Sequence, residues 1–186
     1  MIDKFKDYSN LYTQVVSETI DHIDLLNMES FIKNMLGFKR IFLTARGRTS
    51  LILQSFAMRL VHLEKSAHWV GHPTTPRITK NDCLLVASGS GKTDGLILIT
   101  EKARKEGVSI FVISYQEISA LSKLADHLLI LPIKLDKQEI KNKSKVFLGT
   151  LFEQALFLTL ECMIGVMMAL EEKTFEDLSS QHVILE

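Results

Sequence analysis

The chain predicts an α/β fold, with a parallel sheet covered by helices on both faces and a helical arm leading into it. Three observations predict this. From residue 39 onward, short apolar runs alternate with helical stretches. The runs CLLVA (83–87) and SIFVIS (109–114) lack the polar alternation of a strand with one wet face. The first 36 residues carry Leu11, Val15, Ile20, Ile23, Leu26 and Met28 at roughly helical spacing, with charges filling the gaps.

The elements follow in order. The arm breaks near Asp21 and His22 into two helices. Arg40–Thr44 is a short strand, followed by the turn ARGRTS and a helix over Leu51–Leu63. Ala67–Val70 is a second strand, and Pro73 and Pro76 mark the loop after it. Cys83–Ala87 is a third strand ending in SGSG, and Asp94–Lys105 is a helix. A fourth strand is expected over Val108–Ile113, a short helix over Ile118–Leu124 and a fifth strand over His127–Leu131. A charged loop from Lys134 to Lys145 leads into a long apolar helix and then a polar tail.

Composition narrows the function. The 186 residues carry 22 Lys+Arg against 22 Asp+Glu, a formal net charge of +0. A protein built around nucleic acid or an anionic membrane needs a surplus of cations, so neither partner is expected. The N-terminus has no apolar signal segment. Val146–Leu170 is long enough to span a bilayer, but Glu153, Gln154 and Glu161 interrupt it, so a core helix is expected and a cytoplasmic location with it. Cys83 and Cys162 lie in apolar stretches and are read as two buried thiols, with no disulfide or zinc framework.

The strongest local signal is Ser88-Gly89-Ser90-Gly91-Lys92-Thr93, between a strand and a helix. Ligands of open α/β sheets sit at the carboxyl ends of the strands. A helix N-terminus there offers unpaired N–H groups to an anion, and glycine lets the backbone come close. Ser88, Ser90 and Thr93 add hydroxyls. The competing reading is a tight turn whose Ser or Thr only caps the helix. A nucleotide-binding P-loop is excluded, because its first Gly would fall on Val86. The turn Ala45-Arg46-Gly47-Arg48-Thr49-Ser50 follows the first strand. If the first and third strands are neighbours, the two turns meet and form a pocket for a phosphorylated small molecule. Arg48 is then a clamp for phosphate or a sugar oxygen, whereas Arg46 reads as a solvated surface charge.

The segments GRTSLILQSFAMRLVHL, VGHPTTP, NDCLLVASGSGKTD and LGTLFEQALF resemble successive motifs of the sugar isomerase (SIS) domain family, and within it the 6-phospho-3-hexuloisomerase branch. The resemblance runs from about Lys39 to the terminal QHVILE. It implies a flavodoxin-like three-layer α/β/α sandwich with a five-stranded parallel sheet. Residues 1–36 would be the helical arm and residues 37–186 the SIS domain, one structural domain overall. It further implies interconversion of 3-hexulose 6-phosphate and fructose 6-phosphate without metal or organic cofactor, in a homotetramer with active sites near subunit boundaries. Glu153 of GTLFEQ matches the family's catalytic Glu, and His182 of QHVILE is the second catalytic candidate. The substrate- and phosphate-binding set is Arg48, Thr49, Ser88, Gly89, Ser90 and Thr93. The other histidines are weaker: His62, His68 and His127 are expected to pack, while His72 could rim the pocket. The chain departs from the family at Ala45 and Ser50 (usually Gly), at Thr49 (usually Ser), at His72-Pro73 and at Ile184. Those departures leave two alternatives, a non-catalytic sugar-phosphate sensor and an isomerase of another phosphosugar.

Overall fold

The computed structural model describes residues 2–133 and 148–181. Helices α1 (Ile2–Asp21) and α2 (Leu25–Leu36) form the arm. Asp24 separates them as the N-cap of α2, its Oδ1 accepting from the N–H groups of Leu26 and Asn27 at 3.0 and 3.1 Å. The chain then runs β1 (Arg40–Thr44), α3 (Arg48–His62), β2 (Ser66–Trp69), β3 (Cys83–Ala87), α4 (Asp94–Lys105), β4 (Ser109–Ser114), a 3₁₀ turn (Ser122–Leu124), β5 (His127–Ile130), α5 (Leu148–Leu170) and α6 (Phe175–Ser180).

All five strands are parallel, in the order β2-β1-β3-β4-β5. Successive side chains alternate between two cores, as a pleated strand requires. Ile41, Leu43, Leu85, Phe111 and Ile113 pack under α2, α3 and α5. Phe42, Leu84, Val86, Ile110 and Val112 pack under α4 and Leu121. Phe31 of α2 meets Phe111 edge-on, with centroids 5.1 Å apart. The sheet is thus the middle of three layers.

The amino edge of the sheet is clamped by charge. Arg40 opens β1 and donates to both carboxylate oxygens of Asp82, just before β3, at 2.7 and 2.6 Å. Thr79 adds its N–H and its hydroxyl to the same carboxylate. Together these donors, Arg40 first, hold the Asp82 carboxyl down at about 2.

Three expectations are corrected. Helix α3 starts at Arg48 rather than Leu51, because Gly47 (φ 61°, ψ −144°) turns the chain straight out of β1. The helix expected over Ile118–Leu124 shrinks to one 3₁₀ turn. Ser119 and Ser122 there take each other's backbone N–H on their hydroxyls, at 3.0 and 2.7 Å, in place of a helical ladder. The tail contains α6, held by a capping box between Thr174 and Asp177. The charged loop from Lys134 to Lys145 lies outside the described residues.

Among the described residues, Gly149–Leu170 is long and apolar enough to cross a membrane, and 56% of that window is buried within the protein. Its inner face meets the sheet through Phe152, Ala155, Leu156 and Met163. Its outer face carries Phe157, Leu158 and Cys162, so the reading of two buried thiols holds only for Cys83. Burial pushes the Cys83 thiol up to about 12.

Candidate active site

The strand order places a switch point between β1 and β3, since the chain leaves β1 toward one edge and β3 toward the other. The loops after these two strands both lead into helices. Neither helix start is capped by a side chain. Gly47 precedes α3 with none to offer, and Thr93 precedes α4 with its hydroxyl making no capping bond. The first N–H groups of both helices remain available to an anion. The reading of Thr93 as a mere cap therefore does not describe this turn.

A cavity of about 250 Å³ lies between the two corners. Arg46 and Thr49 line it from the first corner, Ser88, Gly89, Ser90 and Thr93 from the second, and Gly149 and Phe152 from α5. Two larger hollows, of about 740 and 500 Å³, are apolar grooves against α1 and α4. The smaller one holds the converging hydroxyls and helix starts, and orienting polar groups rather than size mark a binding site.

The second corner is rigid. Ser88 Oγ accepts the Gly91 N–H at 3.2 Å, and Ser90 Oγ accepts the Lys92 N–H at 3.3 Å. Ser114 donates its hydroxyl to the Gly89 carbonyl at 2.9 Å. Both glycines are required. A Cβ on Gly89 would stand 2.8 Å from Tyr115 Cε1, and one on Gly91, at φ +62°, would stand 2.2 Å from Ser119 Oγ.

Glu153 lies one residue past Phe152 on α5 and is 7% exposed. It is not among the residues lining the cavity. Arg48 Nε stands 3.0 Å from its Oε2, while that oxygen has no aligned hydrogen bond. The contact is an ion pair that leaves a buried carboxylate oxygen with unused acceptor capacity. The two corners converge on the cavity, whereas Glu153 does not line it and Arg48 pairs with Glu153 instead of lining it. His182 lies outside the described residues.

The remaining histidines sort by packing. His127 stacks on Phe111 at 4.3 Å, and His68 packs on Phe42 at 5.1 Å while its Nε2 meets Ser66 Oγ at 2.9 Å. His62 is buried in α3. His72 packs near Trp69 and does not line the cavity. Two residues escaped the sequence reading. Arg46, read as a surface charge, is exposed as that reading expects and also lines the cavity. Tyr115 follows β4 and closes one wall, its ring edge-on to Phe152 at 5.9 Å. Its position just past the carboxyl end of a strand was the only signal that could have found it.

Residues 35–148 match the SIS domain family. The chain is 33% identical over 184 residues to the 3-hexulose-6-phosphate isomerase of Mycobacterium gastri, covering 99% of this chain and 92% of that one. It is 30% identical to the 3-hexulose-6-phosphate isomerase of Bacillus subtilis (strain 168), covering 94% of this chain and 98% of the relative. A crystal structure from Methanococcus jannaschii, taken to infer a molecular function of 3-hexulose-6-phosphate isomerase, superposes with a TM-score of 0.81 at 26% identity. That match covers 98% of this chain and 99% of the other. The chain belongs to the SIS domain family.

Proposed function

We propose that the protein is a sugar-phosphate isomerase that interconverts 3-hexulose 6-phosphate and fructose 6-phosphate. One observation carries this reading: two uncapped helix starts and the hydroxyls of Thr49, Ser88 and Thr93 converge on a single cavity beside a buried carboxylate. The relatives that bear this activity by name align over almost the whole chain.

In this reading the phosphate sits on the second corner, held by the N-terminal N–H groups of α4 and the hydroxyls of Ser88, Ser90 and Thr93, with Gly89 letting the backbone approach. Thr49 and the start of α3 hold the sugar from the other side. Glu153 takes the proton from C2 of the 3-hexulose, and the C2–H electron pair becomes the C2–C3 double bond of an enediolate. The negative charge develops on oxygen, where Arg48, already beside Glu153, is placed to stabilise it. A proton passes from the C2 hydroxyl to the C3 oxygen, a transfer we assign to His182. Glu153 returns its proton to C3, leaving the carbonyl on C2. No redox partner is needed, because each carbon's change balances the other's. The protein works as a homo-oligomer, a tetramer by its resemblance, and the exposed apolar groove between α1 and α5 (Tyr12, Val16, Ile20, Phe157, Leu158) supports this.

The test is direct. Protein mixed with 3-hexulose 6-phosphate should form fructose 6-phosphate. Glu153→Gln should lower kcat by about 10²- to 10⁴-fold, the range of lost acid–base catalysis, while fructose 6-phosphate still binds. Binding without turnover in the unaltered protein would convert the assignment to a sensor. Turnover of a different ketose phosphate alone would change the substrate.

A further inference from the structure

We propose that Arg46 supplies the countercharge for the substrate's phosphate and so sets the site's preference for phosphorylated over free sugars; this rests on the binding mode above. Among the described residues, Arg46 is the one charged side chain lining the cavity. The other arginine of the same corner, Arg48, is engaged at 3.0 Å by Glu153. No carboxylate of the described residues forms an ion pair with Arg46.

Its placement is specific. The guanidinium lies over the first turn of α4, where a Cβ built on Gly95 would stand 3.8 Å from Nε and 3.9 Å from Nη2. Gly95 keeps that side of the helix start bare, so the planar group rests beside the first turn of α4, whose preceding residue Thr93 lines the same cavity. The guanidinium therefore shares the cavity wall with Ser88, Ser90 and Thr93. Ser88, Ser90, Thr49 and Thr93 are neutral donors. Without Arg46 a phosphate dianion would meet hydrogen bonds but no formal positive charge from the lining. A guanidinium fits phosphate oxygens through two parallel N–H donors, which an ammonium cannot reproduce.

Such a residue binds the ground state and the transition state alike, because the phosphate is remote from the reacting carbons. Its loss should raise KM and leave kcat largely intact. The experiment measures binding of inorganic phosphate and fructose 6-phosphate by calorimetry, alongside steady-state kinetics. Arg46→Gln should weaken both ligands by about tenfold, a charge-assisted bond discounted for solvent exposure, with a matching rise in KM and kcat within about twofold. Arg46→Lys should recover part of the loss. Lys102→Gln removes the same charge near the far end of α4 and should leave phosphate affinity unchanged.

An Arg46→Gln protein that binds phosphate as tightly as its parent would overturn the proposal. So would equal weakening by Arg46→Gln and Lys102→Gln, which would make the effect one of net charge. The two readings fail separately. An unaltered protein that turns over no hexulose phosphate, yet binds phosphate in an Arg46-dependent way, refutes the reaction and upholds the countercharge. Normal turnover with affinity indifferent to Arg46 does the reverse.

Discussion

Gly91→Ala should weaken the protein in two separable ways. The residue sits at φ +62°, where a side chain costs about 1–2 kcal/mol relative to glycine. Its new methyl would also stand 2.2 Å from Ser119 Oγ and 2.6 Å from Ser119 Cβ. Ser119 cannot swing away cheaply, because it is 6% exposed and exchanges hydrogen bonds with Ser122. Overpacking of this kind costs about 1–3 kcal/mol. The combined loss is roughly 3 kcal/mol, which lowers Tm by about 6–12 °C in a chain of this size. Ser119→Gly removes the obstacle but leaves the backbone conformation as it is. A double-mutant cycle by thermal and urea unfolding should therefore show a coupling of about 1–3 kcal/mol, with the backbone penalty remaining in the double variant. Gly91→Ala within about 0.5 kcal/mol of the parent, or a coupling near zero, would refute the claim that this corner is locked against the 3₁₀ turn.

The clamp at the other edge of the sheet makes a pH prediction. The Asp82 carboxyl is held at about 2, below its ordinary 3.8, so its stabilisation is fully present above pH 4 and is lost as pH falls toward 2. Asp82→Asn should cost about 2 kcal/mol at pH 7 and flatten the stability profile between pH 4 and 2; an unchanged acid limb would contradict the clamp. The two thiols should separate cleanly. Cys162, exposed on the single chain, should react with a maleimide once the subunits are separated, whereas Cys83, buried with its thiol pushed up to about 12, should label only on unfolding. Native labelling of both, read by peptide mass, would contradict the burial of β3.

Much of the fold was legible because each strand announces itself locally. CLLVA and SIFVIS are apolar on both faces, and both run through the middle of the sheet. The SGSGKT corner was legible for the same reason, being one contiguous run between a strand and a helix. Legibility fails where side chains compete with backbone. Ser119 and Ser122 replace helical bonds with their own, so the helix expected there is a single turn. It fails again where a contact joins distant segments. Nothing in the local sequence around Arg48 says that it pairs with Glu153, over a hundred positions later, or that the exposed Arg46 lines the cavity while its neighbour is taken. Cys162 misled because an apolar run names a helix but not which of its faces is covered.

The cavity is walled by four stretches of chain that are far apart in sequence: the corner after β1, the corner after β3, Tyr115 after β4, and the start of α5. None of them is a pocket alone. A proteolytic fragment or half-formed intermediate would hold the hydroxyls of Thr49, Ser88, Ser90 and Thr93 without gathering them around one cavity. A closed cavity is therefore an all-or-nothing report on completed topology, available only after the long helix α5 has docked across the sheet.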